Sequence, residues 1–131
     1  MGLLLFMHNI TGFMTWGYNF YYLEKSVGVI DPYRTTDSGR AFPSGDAFSV
    51  YPGPNGECYE SIRIVSFQEA LQDIRALELL SDLIGKDEVK KLVTDFAGME
   101  IKFDRYPSGA FFIQGLRHKV NELIKENIKN K

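Results

Sequence analysis

Two short aromatic runs constrain the fold of this chain more than any other feature. Residues 11–21 read TGFMTWGYNFY and residues 42–53 read FPSGDAFSVYPG. Each is apolar or aromatic through its middle and ends in polar or hydroxyl-bearing residues. Such a run suits a strand covered on both faces whose end opens onto a site. Two such strands cannot make a stable sheet by themselves, because both faces and both edges need cover. The chain therefore reads as the last part of a larger architecture.

The remaining pattern is mostly helical. Leu3 to His8 reads as a helix end. The first strand is expected over Gly12 to Asn19, with Met14, Trp16, Tyr18 and Phe20 sharing one face and Phe13, Thr15, Gly17 and Asn19 the other. Gly17 inside that run predicts close approach of another backbone or a ligand. Residues 22–46 carry turn chemistry in Asp31-Pro32, Thr35 to Gly39 and Pro43 to Asp46, and irregular segments of this length usually serve a function. Ala47 to Tyr51 reads as the second strand, closed by the breaker cluster Pro52 to Gly56.

A long helix follows over Ser61 to Ile84. Ile64, Phe67, Leu71, Ile74 and Leu77 form its stripe, widened by Ala70, Leu80 and Ile84. Gly85 stands at its C-terminal cap. Asp87 is expected to cap a shorter helix through Phe96, with Val89, Leu92, Val93 and Phe96 inward, ended by Gly98. Met99, Ile101 and Phe103 alternate with charged residues as a short extended segment. Ser108 is expected to cap the last helix, with Ile113, Leu116, Val120, Leu123 and Ile128 as its apolar face and Lys125, Lys129 and Lys131 at its C-terminal end. This order predicts an α/β architecture: the C-terminal portion of a (β/α)8 TIM-like barrel, holding its last two strands and final helix, plus a helical tail, mostly helical by residue count.

Charge and cysteine content narrow the function. The formal net charge is -2, so no concentrated basic surface for nucleic acid or an anionic membrane is expected. Cys58 is the only cysteine, which excludes an intramolecular disulfide framework and fits a reducing, cytoplasmic setting. The opening MGLLLFMHNI lacks a basic segment, and its apolar stretch is too short for a signal peptide; it reads as a buried helix end at a secondary start. Asn9-Ile10-Thr11 matches the glycosylation pattern by chance. His8 and His118 have no partner at ligand spacing, so no metal is expected, and no cofactor motif is present. Seven Tyr, ten Phe and one Trp supply flat faces that either fill a core or bind rings.

Three segments then carry a family resemblance: TGFMTWGYNFYY, IDPYRTTDSGRAFPSGDAFSVYPG and ESIRIVSFQEALQDIRALELL. They resemble the C-terminal part of the glycoside hydrolase family 123 catalytic domain, from about residue 10 to residue 84. The resemblance implies a barrel enzyme that cleaves terminal β-linked N-acetylgalactosamine by substrate-assisted retention. The sugar's acetamido oxygen attacks the anomeric carbon, an Asp orients the acetamide, and a Glu is the acid and later the base. This departs from the two-carboxylate scheme. The resemblance further implies a glycoside hydrolase-like segment over 1–85 and a helical appendage over 86–131 packed on it.

The family's Asp-Glu pair is expected upstream of this chain. Asp87-Glu88, the one adjacent Asp-Glu, reads as a helix start, so no catalytic residue is assigned and the chain alone is expected to be inactive. Barrel enzymes place function at strand ends, which makes Trp16, Tyr18, Asn19 and Tyr51 the candidate substrate-binding residues. An indole or phenol face stacks on a pyranose; phenol and amide groups hydrogen-bond its acetamide and hydroxyls. The competing reading is that Trp16 and Tyr18 fill barrel layers. Asp46 is expected to serve its own turn, Arg34, Asp37 and Arg40 the surface, and Arg63 a strand end or loop. The expected partner is a carbohydrate bound by the intact protein, with self-association through uncovered strand edges as the alternative function of an assembly module.

Overall fold

The computed structural model describes residues 1–129; Lys131, expected at the end of the last helix, lies outside the described residues, as does Asn130. The order is α1 (Gly2–Met7), β1 (Val50–Pro52), β2 (Cys58–Glu60), α2 (Ile62–Ile84), α3 (Lys86–Ala97) and α4 (Ala110–Lys129), with single 3-10 turns at Glu24–Ser26 and Pro54–Gly56. The chain forms two compact units. One comprises Met1–Gly12 and the chain from Glu69 onward, the other Phe13–Gln68.

The helical unit is built as its apolar periodicity dictates. Ala70, Leu77 and Leu80 are the buried positions of α2, Val89 and Val93 those of α3, and Leu116 and Val120 those of α4. With Leu3, Phe6 and Ile101 most of them form one core. The stripes are narrower than expected: Leu71 on α2 is 40% exposed, Phe96 on α3 42% and Ile128 on α4 56%. Two caps also move. Gly85 donates its N–H to Ser81 O at 2.8 Å, ending α2, and its own carbonyl accepts from Val89 N at 3.2 Å, opening α3. Asp87 and Glu88 therefore lie inside the first turn of α3, where the helix dipole favours them. The carbonyl of Gly109, rather than the Ser108 side chain, receives the first amides of α4, from Phe112 at 3.1 Å and Ile113 at 3.3 Å.

The barrel end is overturned. Among the described residues there are four α-helices and one two-stranded antiparallel sheet, with no parallel pair. Helices still carry most of the regular structure. The cause lies in the breaker cluster. Parallel strands need a crossover of a dozen or more residues, whereas antiparallel ones need only a tight turn. Pro52 to Gly56 makes that turn, and Gly53 N–H reaches Glu57 O at 2.8 Å. Val50, Tyr51 and Pro52 then pair with Glu60, Tyr59 and Cys58.

The expected first strand does not form: the segment bends at Trp16 and Tyr18 and makes one antiparallel bridge, Asn19 to Phe48. Its residues are not covered on both faces: Met14 is 90% exposed and Phe13 51%. Gly17 has open space where a Cβ would stand, so no close approach explains it.

Candidate functional site

The unit Phe13–Gln68 brings the quoted motifs into one network. Ser61 anchors it. Its Oγ accepts from the amides of Arg63 at 3.2 Å and Ile64 at 3.4 Å, capping α2, while its hydroxyl donates to Ser49 O at 2.5 Å. The helix start is thereby tied to the chain entering β1. Arg63, two residues on, donates Nε–H to Phe48 O at 2.6 Å and an Nη2 hydrogen to the Tyr51 hydroxyl at 2.9 Å. The expectation that Arg63 holds a strand end is met.

Asn19 closes the network from the other side. Its Oδ1 accepts from the amides of Ser49 and Val50, both at 3.1 Å. Phe20 N–H donates to Ala47 O at 2.9 Å and Ser49 N–H to Tyr18 O at 3.0 Å. The Asn19 amide oxygen is thus engaged with backbone. The amide nitrogen donates to no protein group among the described residues.

Trp16 belongs to a separate aromatic cluster in the same unit. It stacks on Phe42 with centroids 4.5 Å apart and meets Phe20 edge-on at 5.7 Å. Its Nε1–H donates to Asp46 Oδ2 at 3.1 Å. The ring is therefore oriented by a carboxylate and backed by a second ring, yet 52% of its surface is exposed. Asp46 serves the indole rather than its own turn. Phe20 and Phe42 complete this cluster and were absent from the expectation; the 30-residue separation of Trp16 and Asp46 leaves no local signal that they meet.

Around Tyr51 a second aromatic group gathers. Tyr33 lies 5.2 Å away and Phe48 5.7 Å, centroid to centroid, and Tyr21 stacks on Phe48 at 5.6 Å. Tyr21 donates its hydroxyl to Val50 O at 2.6 Å. Burial raises the Tyr21 phenol above its ordinary 10.0, helped by neighbouring Cys58, Tyr18, Tyr33 and Tyr51. Tyr18 is 56% exposed and presents its ring outward. The structure places Tyr51 on β1 and Asn19 against the amides of Ser49 and Val50 beside it, and leaves Trp16 in the neighbouring cluster.

The surface loop behaves as expected for its charges. Arg34 pairs with Asp31 at 3.6 Å in the open, and Asp37 accepts the amide of Gly39 at 3.1 Å. A cavity of about 290 Å3 lies within the helical unit. Leu3, Ala76, Leu116 and Val120 floor it, and Arg117 spans its rim to Asp73 and Glu69. Among the described residues no helix is long and apolar enough to cross a membrane, and no three His, Cys, Asp or Glu side chains gather as a metal site.

Two comparisons with known proteins bear on this arrangement. No curated protein matches the chain. The family model of the glycoside hydrolase 123 catalytic domain matches residues 1–80, more than half of the chain. That span contains Trp16, Tyr18, Asn19, Asp46, Tyr51, Ser61 and Arg63, the residues that build both clusters. The chain belongs to the glycoside hydrolase 123 family and carries part of its catalytic domain.

Proposed function

We propose that this chain contributes sugar-binding residues to a glycoside hydrolase acting on β-N-acetylgalactosaminides and that it does not hydrolyse them by itself. The observation that carries the reading is the half-exposed Trp16 ring, fixed by Asp46 and backed by Phe42, inside the family-matched span. A pyranose lays its C–H face on such a ring, and the ring loses little freedom on binding because it is already held. Tyr51 and Tyr18 offer hydroxyls, and Asn19 offers its amide hydrogens, to the acetamide and hydroxyls of the sugar.

The catalytic Asp-Glu pair of this reading comes from polypeptide other than these residues. Asp87-Glu88 occupies the first turn of α3, outside the unit that holds the aromatic clusters. Trp16 is the only tryptophan, so fluorescence titration with N-acetylgalactosamine reports on its face directly. The expected result is a saturable fluorescence change with no nitrophenolate released from 4-nitrophenyl β-N-acetylgalactosaminide. Turnover by the chain alone, or an unresponsive Trp16, would remove the proposal.

Self-association is the second reading, favoured by the exposure of all three residues of β2, Cys58–Glu60. The outer edge of β2 offers backbone groups to another strand. Sedimentation at rising concentration tests it, and a monomer throughout would dismiss it.

A further inference from the structure

We infer that Arg63 is a positioning residue for sugar recognition, holding the Tyr51 oxygen as an acceptor so that the phenolic hydrogen is left for an acceptor oxygen on the ligand. The inference rests on the reading of Tyr51 as a sugar contact.

Three constraints fix the guanidinium. Its Nε–H donates to the Phe48 carbonyl at 2.6 Å, and Phe48 itself is fully buried. Another arm donates to the Tyr51 hydroxyl at 2.9 Å, with Arg63 Cζ 5.7 Å from the Tyr51 ring centroid. Gly45 forms the third: a Cβ there would stand 2.5 Å from Arg63 Nη1, and Gly45 itself has φ +82°. The glycine of the Pro-Ser-Gly-Asp turn is what lets the loop close over the guanidinium. Among the described residues no carboxylate pairs with Arg63, so its charge is directed at these two neutral oxygens.

The chemical consequence follows from the donor inventory. A phenol has one hydrogen and two lone pairs. A free Tyr hydroxyl rotates to serve as donor or acceptor and selects weakly between ligands. Arg63 can only donate, so Tyr51 must accept from it. The phenolic hydrogen is then free and made a stronger donor by the charge behind it. Such a hydroxyl favours an oxygen that only accepts, and on an N-acetylhexosamine the strongest of these is the acetamido carbonyl, ahead of the ring and glycosidic oxygens that a galactoside shares. Lysine cannot replace the arginine, because its single ammonium lacks the rigid fork that spans both acceptors.

The experiment is a titration of the full chain by NMR with methyl β-N-acetylgalactosaminide and methyl β-galactoside, in wild type, Arg63→Lys, Tyr51→Phe and the double variant. Arg63→Lys is expected to weaken binding of the N-acetyl sugar about tenfold, the worth of one charge-assisted hydrogen bond, and to leave the galactoside unchanged. Tyr51→Phe should produce the same loss, and Arg63→Lys should add nothing to it. An equal loss for both sugars, or additive losses in the double variant, overturns the inference. Should wild type bind neither sugar, the sugar reading itself fails. The positioning is then judged on the Tyr51 ring resonances: a shift in Arg63→Lys upholds the contact, and unchanged resonances overturn it.

Discussion

Replacing Asn19 by Ala tests whether the network around β1 is held as described. Gly53 N–H pairs with Glu57 O and Ser61 N–H with Ser49 O, so Ser49, Tyr51 and Gly53 occupy the positions that bond toward β2. Val50 therefore faces the other way. Its N–H meets Asn19 Oδ1 at 3.1 Å and its carbonyl meets the Tyr21 hydroxyl. Val50 is 6% exposed, so Asn19→Ala leaves a buried amide without a partner, at about 1–3 kcal/mol. The Ser49 amide retains Tyr18 O at 3.0 Å, so its loss counts for little. The expected total is about 2 kcal/mol, a fall in Tm of roughly 6–8 °C for a chain of this size.

Urea unfolding followed by Trp16 fluorescence measures the loss in the unit that contains Asn19, and hydrogen exchange at Val50 measures its cause. Asn19→Asp retains an acceptor in the same place and should recover most of the stability. A change below about 0.5 kcal/mol, with the Val50 amide still protected, would refute the bracket.

Three further outcomes are expected. Tyr21 contributes a hydrogen bond that needs its proton, and its folded pKa is raised above 10.0; the contribution is complete below the unfolded value and lost as pH rises through the folded one. Urea midpoints measured from pH 8 upward should therefore show wild type above Tyr21→Phe at first, with the gap closing at high pH. Gly45→Ala combines a left-handed backbone with a clash at Arg63 and should cost about 1–3 kcal/mol, read by thermal unfolding. Leu80 is fully buried whereas Leu79 is 45% exposed; Leu80→Ala should cost about 2–5 kcal/mol by circular dichroism, and Leu79→Ala under about 0.5.

The helices were legible in the sequence because their information is local. Ala70, Leu77 and Leu80 on α2, Val89 and Val93 on α3, and Leu116 and Val120 on α4 repeat at helical spacing, and each is buried. Cap positions were less legible: Asp87 and Ser108 have the right chemistry near a helix start, but Gly85 and Gly109 supply the carbonyls that open α3 and α4. The partners of the extended runs could not be read at all. Tight alternation marks a chain as extended without saying what lies beside it, and the Pro52 to Gly56 turn returned the chain on itself as a hairpin.

The sequence by itself determined the helical stripes, the absence of a disulfide framework and, through its ordered motifs, the family. It also named Trp16, Tyr18, Asn19 and Tyr51 as residues of interest. Only the tertiary structure decided how three of them are held: Trp16 is oriented by Asp46, Asn19 brackets β1, and Tyr51 is held by Arg63. These pairings join residues 12 to 31 positions apart. Hydrogen bonds at that separation depend on how the backbone turns between the partners, and turn geometry, unlike helical periodicity, leaves no repeating mark in the chain.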